Sequence, residues 1–373
     1  MSGKTITKYA ERILEFTGIN VGGNQPWDIQ IHHPDFFTRV FRHGSLGLGE
    51  TYTEQWWDCQ RLDLFFERVL KANIRGKINK WFLLKLIFLK FINIQTKRKS
   101  LEVGAKHYDL SNQLFSLMLD KRMNYTCGYW KNANDLDQAQ LNKLELSCQK
   151  LKLEPNMRVL DIGCGFGAFA KHAAENYGVK VVGITISKEQ YEYAKVNCQH
   201  LPIEIRMQDY RDVNEKFDRV VSLGMFEHVG HLNYRTYMKK VYECLSDEGL
   251  FLLHTIGNNI TTTAGDAWIT KYIFANGMLP SVTQIGKASE RLFIMEDWHN
   301  FGADYDKTLM AWHNNFQQNW GQLKEAFDER FYRIWNYYLL SCAGIFRARR
   351  TQLWQIIFSK GIEGGYQTPR FNF

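Results

Sequence analysis

The chain has 373 residues and carries 47 Lys+Arg against 39 Asp+Glu, a formal net charge of +8. The excess is uneven, because residues 1–100 hold 16 basic and 9 acidic side chains whereas residues 101–373 hold 31 and 30. An apolar fraction of 45% with 23% charged residues indicates a folded globular protein and excludes a disordered or fibrous chain. No run reaches the roughly 18 apolar residues that a membrane-spanning helix needs.

The N-terminal quarter is predicted to be a mainly helical, basic domain over residues 1–95, with a break at residues 21–26. Between Lys71 and Lys99 the chain has nine Lys/Arg and no acid, interleaved with large apolar side chains. A solvated basic helix face is one interpretation of this segment. The other is a surface that meets polyanions, and the apolar bulk favours a lipid interface over nucleic acid. Residues 96–105 are predicted to be a linker, followed by a second domain over residues 106–373.

From Met157 onward, short apolar strands alternate with helical segments, which predicts a parallel, doubly wound α/β sheet. Ligands of such sheets bind beyond the carboxyl ends of the strands. The predicted strands are MRVLDI, KVVGITI, IEIRM, DRVVSLG and GLFLLHTI, and the S-x-x-Q pair Ser187 and Gln190 predicts a capping box at the helix after the second strand.

A glycine-rich turn, Asp161-Ile-Gly163-Cys-Gly165-Phe-Gly167, ends the first of these strands. Glycines there allow a tight turn and a close approach of the backbone to a ligand. The spacing differs from the dinucleotide pattern G-x-G-x-x-G, and a dehydrogenase would also place an acid at the end of the second strand, where Thr185 and Ile186 stand. V-L-D-I-G-C-G-F-G instead resembles the first motif of S-adenosylmethionine-dependent methyltransferases.

That resemblance implies a binding site for S-adenosylmethionine around the ends of the first three strands. Asp209-Tyr210 matches the position that contacts adenine in this class, and a packed aromatic at a strand end is the structural alternative for Tyr210. The residues predicted to bind S-adenosylmethionine are Tyr125, Thr126, Asp161, Gly163, Gly165, Thr185, Ile186, Gln190, Asp209 and Tyr210.

Further segments in order around this motif make the resemblance more specific. They are His107–Leu110, Tyr125–Trp130, Met225–His228, His254–Gly257, Tyr305–Trp312 and the closing LWQIIFSKGIEGG. The whole chain resembles the bacterial cyclopropane-fatty-acyl-phospholipid synthases, including the basic N-terminal domain that the mycolic acid cyclopropane synthases lack. This resemblance implies a Rossmann-like class I methyltransferase fold with a seven-stranded, mostly parallel sheet and a smaller, mainly helical N-terminal domain.

The family resemblance also implies a reaction. The methyl carbon of S-adenosylmethionine is transferred to a cis double bond of a phospholipid acyl chain, a carbocation forms, and loss of a proton from the new methyl closes a cyclopropane ring. Family enzymes hold bicarbonate as the base. By match, its ligands here are Cys127, Glu227, His254, the backbone at Ile256, and Tyr305. Cys342 matches a cysteine once favoured as catalytic, and the proposed chemistry needs no covalent nucleophile there.

Other functions compete with this one. A related lipid methyltransferase would make methyl-branched or methylene acyl chains, depending on which proton the base removes. A non-catalytic peripheral membrane protein and an RNA methyltransferase would each explain the basic excess. Glu227, His228 and His231 lie close in sequence, but no second cluster at ligand spacing supports a metal site.

The cellular setting is also an expectation. The seven cysteines are scattered, with no C-x-x-C pair, which predicts reduced thiols in a cytoplasm and neither a disulfide framework nor a zinc cluster. The N-terminus lacks the apolar block of a secretory signal. The resemblance implies a homodimer, associated peripherally with an anionic phospholipid surface at the inner face of the cytoplasmic membrane, and no nucleic acid partner.

Overall fold

The computed structural model describes residues 3–72 and 112–369. The predicted linker at residues 96–105, most of the basic segment and the motif at residues 107–110 lie outside the described residues. The chain divides into two compact units. The first comprises Met1–Ser111, Gly265–Asn276 and Phe316–Arg350, and the second Asn112–Ala264, Gly277–Asn315 and Thr351–Phe373.

The described N-terminal residues are mainly helical, as predicted. In chain order the elements are α1 (Gly3–Glu15), β1 (Gln30–Ile31), α2 (Phe36–His43), α3 (Ser45–Thr53), β2 (Trp57–Asp58) and α4 (Leu62–Lys71). The predicted break at residues 21–26 separates α1 from β1, and β1 pairs antiparallel with β2.

The remaining elements alternate between helices and strands before ending in two long helices and a strand. They are α5 (Asn112–Met118), α6 (Leu136–Lys150), β3 (Arg158–Ile162), α7 (Ala168–Tyr177), β4 (Lys180–Thr185), α8 (Lys188–Asn197), β5 (Ile203–Met207), β6 (Phe217–Leu223), α9 (Tyr234–Cys244), β7 (Leu245–Asn258), α10 (Ala267–Tyr272), α11 (Val282–Ser289), β8 (Ile294–Asn300), α12 (Ala303–Leu323), α13 (Glu329–Arg347) and β9 (Thr351–Ser359). Short 3₁₀ helices cover Tyr210–Asp212 and Phe226–His228.

The first unit packs α13 against α4 and α3. Its core is aromatic, since Trp57 is fully buried against Phe36 and Phe65. Asp63 on α4 is also buried, and its carboxylate accepts hydrogen bonds from Arg61 at 2.7 Å and from Arg347 of α13 at 2.7 Å. The two guanidinium groups supply the hydrogen bonds that a buried carboxylate needs.

The second unit is built on a seven-stranded sheet in the order β5-β4-β3-β6-β7-β9-β8. The five strands from β5 to β7 are parallel, and β9 pairs antiparallel with both β7 and β8. The prediction of a mostly parallel sheet of seven strands with helices is therefore confirmed. The parallel strands all end at one edge, which collects the loops after β3, β4, β5, β6 and β7 at the place where such sheets bind ligands.

Helices cover both faces of the sheet. Alternate residues along each strand point to opposite faces, so neighbouring residues pack against different helices. Val159 of β3 packs with α6 and α7 on one face, and its neighbour Leu160 packs with α9 and α11 on the other. No helix in the described part of the chain is long and apolar enough to cross a membrane. All seven cysteines are free thiols in this structure.

Candidate active site

The glycine turn after β3 has an open concave side at Gly165. The backbone N–H groups of Gly163 and Cys164 donate to the carbonyl of Ile184 at 2.9 and 3.0 Å, which fixes the turn against β4. A Cβ at Gly163 would lie 2.8 Å from the side chain of Met225, so this glycine is required for packing. Gly165, with φ of +54°, has no atom of the described residues within 4 Å of an added Cβ. The backbone at Gly165 can therefore lie directly against a ligand.

Asp161 places a buried carboxyl group beside this turn. Burial raises its pKa to about 7, and the positive charge of Lys143 partly opposes the rise. Its Oδ2 atom is buried and makes no hydrogen bond to any described residue. A buried acceptor without a protein partner is costly, so the group suits a ligand that brings a hydroxyl or amino donor.

The end of β4 presents a linked pair, Thr185 and Gln190. The Thr185 hydroxyl donates to Gln190 Oε1 at 3.1 Å and accepts the backbone N–H of Ser187 at 3.2 Å. The predicted capping box is therefore only half formed. Ser187 Oγ accepts the backbone N–H of Gln190 at 3.4 Å, but the side chain of Gln190 accepts from Thr185 and does not bond Ser187. Ile186 projects from the same loop and is 78% exposed.

Asp209 and Tyr210, after β5, are already engaged with protein groups. The Asp209 carboxylate accepts from Arg211 Nε and Nη2 at 2.8 and 2.7 Å, and this hydrogen bonding lowers its pKa. The Tyr210 ring is buried and packs 5.0 Å from the ring of Tyr237. The packed aromatic that was the alternative interpretation of Tyr210 is thus present, and contact of either residue with adenine stays a prediction.

The loop that carries Tyr125, Thr126 and Cys127 is held by two buried side chains of α6. Lys143 Nζ donates to Thr126 Oγ1 at 3.1 Å and to Asn124 Oδ1 at 2.7 Å. Gln140 Nε2 donates to the Thr126 carbonyl at 2.7 Å. Burial lowers the Lys143 pKa to about 8, against the opposing charges of Asp120 and Asp161.

Cys127 is a fully buried thiol. Its Sγ–H donates to the Gly128 carbonyl at 3.2 Å, and Sγ lies 3.9 Å from Thr308 Oγ1. Burial, reinforced by the negative charge of Asp304, raises the pKa of this thiol well above its ordinary value. Only a thiolate is an effective nucleophile, so Cys127 is suited to contact a ligand and not to attack one.

Glu227 is held by the backbone of β7. Its Oε1 atom accepts the N–H of Ile256 at 2.7 Å, while its own backbone carbonyl accepts the N–H of Met278 at 2.8 Å. Burial raises the pKa of the carboxyl group to about 7. The second oxygen, Oε2, is buried and has no partner within the described ranges. The N–H of Ile256 orients the Glu227 carboxyl group, and contact of the Ile256 backbone with bicarbonate stays a prediction.

His254 lies two residues before Ile256 on β7 and is only 1% exposed. Its Nδ1 atom is 3.3 Å from Gln355 Nε2, whereas Nε2 is buried without a partner among residues 3–72 and 112–369. Burial lowers the His254 pKa well below the usual value, and the charges of Lys143 and Lys150 add to this. The imidazole is therefore neutral at physiological pH.

Tyr305 is buried on the first turns of α12, two turns from Trp312 on the same helix, and the two rings are 6.0 Å apart. Trp312 also packs 5.2 Å from the ring of Tyr125. The electron-rich faces of such rings attract cations. Because Trp312 contacts Tyr125, these aromatic side chains lie in the same part of the second unit as the Tyr125–Cys127 loop.

Comparison with known proteins identifies the family. Residues 95–356 match the family described as mycolic acid cyclopropane synthetase. The chain is 52% identical over 365 residues, 97% of its length and 96% of the relative, to a cyclopropane-fatty-acyl-phospholipid synthase of Escherichia coli K12. It is also 34% identical to cyclopropane mycolic acid synthase 2 of Mycobacterium bovis, across 69% of this chain and 94% of the relative. The chain belongs to the cyclopropane synthase family.

Solved structures agree with this assignment. The cyclopropane synthase MmaA2 from Mycobacterium tuberculosis is 28% identical and superimposes with a TM-score of 0.64, covering 71% of this chain and 99% of its own. The mycolic acid cyclopropane synthase CmaA1, solved with SAH and CTAB, is 30% identical with the same TM-score and the same coverage. The protein is accordingly an enzyme, an S-adenosylmethionine-dependent methyltransferase of the cyclopropane synthase family.

The predicted catalytic residues of this synthase do not all fall in one unit. Cys127, Glu227, His254, Ile256 and Tyr305 belong to the second unit, and Cys342 lies on α13 in the first. Burial and the charge of Asp266 raise the Cys342 pKa to about 12, so it too is a thiol and not a thiolate at neutral pH. No group of three or more potential metal ligands occurs in the described part of the synthase.

Three residues that support the site were not predicted from the sequence. They are Lys143, Thr308 and Gln355. Thr308 Oγ1 accepts the N–H of Gly128 at 3.1 Å and the indole N–H of Trp130 at 2.9 Å. Gln355 could have been found, because it is the one polar residue inside the apolar run LWQIIF. Lys143 gave no signal, since a lysine in a helix is most often exposed.

Proposed function

We propose that this synthase converts a cis double bond in the acyl chain of a membrane phospholipid into a cyclopropane ring, with bicarbonate as the base. The methyl carbon leaves the sulfonium for one alkene carbon, and S-adenosylhomocysteine departs with the electron pair of the broken C–S bond. The cation on the other alkene carbon is then quenched by the electrons of a methyl C–H bond, whose proton goes to the base. The acyl chain gains one CH2 overall.

The observation that carries the proposal is a pair of buried polar atoms at the end of β7. Glu227 Oε2 and His254 Nε2 both lack a partner among the described residues. His254 lies on β7, and the N–H of Ile256, two residues further along that strand, holds the carboxyl group of Glu227. A carboxyl group and a neutral imidazole together suit a small oxyanion that carries both acceptor oxygens and an O–H. Bicarbonate fits this donor set and, when bound there, would supply the base.

Each remaining residue has a role that its surroundings support. Cys127, a thiol whose S–H donates to the Gly128 carbonyl, supplies a neutral wall. Ile256 holds the carboxyl group of Glu227 through its N–H. Tyr305 supplies a hydroxyl to the oxyanion, and the faces of Tyr125 and Trp312 stabilise a cation without reacting with it.

The methyl donor would be held at the ends of β3, β4 and β5. The backbone at Gly163 and Gly165 offers a surface for close approach, and the unpartnered Oδ2 of Asp161 accepts a hydrogen bond from the donor. Tyr125 and Thr126, with Thr185, Ile186, Gln190, Asp209 and Tyr210, complete the proposed set.

The proposed setting follows from sequence alone. Residues 1–95 would form the lipid-binding and dimerisation domain and residues 106–373 the catalytic domain of a homodimeric cytoplasmic enzyme. The enzyme would associate peripherally with an anionic phospholipid surface at the inner face of the membrane. Nucleic acid is not expected as a partner.

A second candidate is a lipid methyltransferase that leaves a methyl branch or a methylene group on the acyl chain. One relative, 36% identical across 72% of both chains, is described as a probable fatty acid methyltransferase of Pseudomonas putida. Both reactions use the same methyl transfer. Loss of the proton on the newly methylated carbon leaves a methyl-branched alkene, whereas a 1,2-hydride shift to the cation followed by loss of a methyl proton leaves a methylene group. Proton NMR of the product separates them, since the second product shows a branch methyl or alkene CH2 protons in place of the cyclopropane ring protons.

One assay tests the proposal. The purified protein is incubated with labelled S-adenosylmethionine and vesicles of monounsaturated anionic phospholipid, with and without removal of dissolved bicarbonate. We expect a mass gain of one CH2 with loss of the alkene signal, a slower rate after depletion, and recovery when bicarbonate is restored. A rate that is indifferent to bicarbonate would exclude it as the base. Competition by RNA for product formation would instead support an RNA methyltransferase.

A further inference from the structure

Three polar side chains stand side by side on one face of the sheet where three strands are hydrogen-bonded. Gln355 on β9 is the cross-strand partner of His254 on β7 and of His299 on β8. Cross-strand partners point to the same face of a sheet. This is the face that packs against α6, since Leu252 and Ile357, on the same face, belong to the cluster that contains Leu144. The row places Gln355 between the two histidines.

Helix α6 meets this row with polar side chains of its own. Ser147 Oγ lies 3.1 Å from Gln355 Nε2, and one helical turn later Lys150 Nζ lies 3.2 Å from His299 Nδ1. Ser147 Oγ also donates to the carbonyl of Lys143, one turn earlier, at 2.7 Å. Both Ser147 and Gln355 are fully buried. Water therefore does not compete for these hydrogen bonds, and each donor needs a specific acceptor.

The Ser147 hydroxyl determines which way the Gln355 amide points. Because that hydroxyl directs its single proton to the Lys143 carbonyl, it offers Gln355 only a lone pair, so the group facing it is the NH2. The position of Gln355 Oε1 has no polar partner among the described residues. Exchanging the two amide atoms would place two donors there without an acceptor, which is less favourable than one unbonded carbonyl oxygen.

The Gln355 amide in turn determines the tautomer of His254. Its NH2 group uses one N–H for Ser147 and directs the other at His254 Nδ1, 3.3 Å away. We infer that Ser147 and Gln355 are positioning residues that hold His254 as the tautomer with its proton on Nε2. Nε2 is the ring nitrogen that is buried without a protein partner. In a neutral imidazole the nitrogen that accepts a hydrogen bond carries no proton, so the other nitrogen must carry it.

This inference deepens the proposed function and rests on it for its consequence. The fixed tautomer makes His254 Nε2–H a permanent donor on the strand whose Ile256 N–H also holds Glu227. One of these two buried side chains then gives a hydrogen bond and the other can accept one. An oxyanion bound between them would be held in a single orientation. With the opposite tautomer, His254 would offer a lone pair, and the O–H of the oxyanion would have two competing acceptors.

The tautomer is measured directly by NMR of the whole protein labelled with 15N in its histidine rings. His254 is assigned by comparison with His254→Asn. We expect the pyridine-type nitrogen resonance for His254 Nδ1 and the pyrrole-type resonance for Nε2, and the opposite assignment would overturn the inference. This readout does not depend on bicarbonate. If the rate is indifferent to bicarbonate while Nε2 carries the proton, only the proposed function fails.

Activity of Gln355→Leu tests the consequence. Leucine keeps the volume but cannot donate to His254, so we expect a mixture of the two tautomers, kcat lower by about tenfold and unchanged KM for S-adenosylmethionine. Gln352→Leu is the matched control, because Gln352 is a buried amide on the same strand whose Oε1 accepts from Asn300 at 3.3 Å. The control should keep the wild-type tautomer and kcat. Equal losses of kcat in both variants, or an unchanged tautomer in Gln355→Leu, would overturn the inference.

Discussion

Glu227 and Ile256 are joined by a hydrogen bond of 2.7 Å, from the N–H of Ile256 to Oε1 of Glu227. This bond fixes one oxygen of a buried carboxyl group against the strand that also carries His254, and leaves the other oxygen without a partner among the described residues. The same burial that isolates the group raises its pKa to about 7. A carboxyl group so poised can accept or share a proton near neutral pH, as general acid–base chemistry requires.

Glu227→Gln should lower activity without weakening the binding of S-adenosylmethionine. The glutamine oxygen can accept the same Ile256 N–H, but the NH2 group that replaces Oε2 cannot accept or share a proton. We expect turnover to fall by on the order of 10² or more, as for loss of an oriented base system. S-adenosylmethionine binding, measured by calorimetry, should stay near normal. Normal turnover in this variant would contradict the bicarbonate-site proposal.

Asp161→Asn is the contrasting variant. Asp161 is also a buried carboxyl group with a pKa raised to about 7, but it lies at the glycine turn instead of the end of β7. Its replacement should weaken S-adenosylmethionine binding in the same calorimetric assay. Of two carboxyl groups with similar burial, Asp161 would then serve the binding of S-adenosylmethionine and Glu227 the turnover. The same defect in both variants would indicate a general loss of structure.

The raised pKa of Glu227 also makes a prediction about stability. The folded-state value of about 7 exceeds the ordinary 4.5, so the unfolded chain releases this proton at lower pH than the folded chain. The cost to folding is therefore absent below pH 4.5, grows as pH rises to 7, and is constant above it. Two and a half pKa units correspond to on the order of 3 kcal/mol. Glu227→Gln lacks this cost, so its gain in melting temperature over wild type should be larger at pH 8 than at pH 5. A difference that is independent of pH would show that Glu227 is ionised already at pH 5 in the folded protein.

Much of the fold could be predicted because the five parallel strands are short apolar runs between helical segments. MRVLDI and the residues after it, for example, specify both a buried strand and a glycine turn. The last two strands could not be placed in this way. Strand β8, IMEDWHN, is half exposed at the sheet edge and mixes polar and apolar residues without regular alternation. Its pairing with β9 is a long-range contact that local pattern does not encode.

The candidate site likewise contains residues that the sequence predicts and residues that only the structure reveals. Cys127, Glu227 and His254 were predicted because each stands in a motif with a family resemblance, although alone each is an ordinary buried residue. The chain from Ser147 through Gln355 to His254 was not predicted. Its members are polar residues buried within apolar elements, and their function follows from contacts between residues 101 to 208 positions apart. Only the folded structure brings them together.

The basic segment makes a prediction that rests on sequence alone, since it lies outside the described residues. Replacing Lys77, Lys80, Lys85 and Lys90 with glutamine removes four charges, each worth on the order of 1 kcal/mol near an anionic leaflet. We expect retention on anionic vesicles in a sedimentation assay to fall by on the order of 10² or more, with less dependence on salt. S-adenosylmethionine affinity should not change. A change in that affinity would refute the assignment of lipid binding and methyl-donor binding to separate parts of the chain.

Gly165 tests whether the open side of the glycine turn faces the methyl donor. Gly165→Ala adds a methyl group that meets no atom of the described residues within 4 Å, so the expected folding cost is that of a left-handed residue, about 1 to 2 kcal/mol. Gly364→Ala is the matched control, because Gly364 has φ of +75° and equally open surroundings in the same unit. Both variants should lose similar amounts of stability in thermal unfolding. Only Gly165→Ala should raise KM for S-adenosylmethionine, by about tenfold or more, because its Cβ occupies space that the ligand needs. If KM is the same in both variants, the donor does not lie against Gly165.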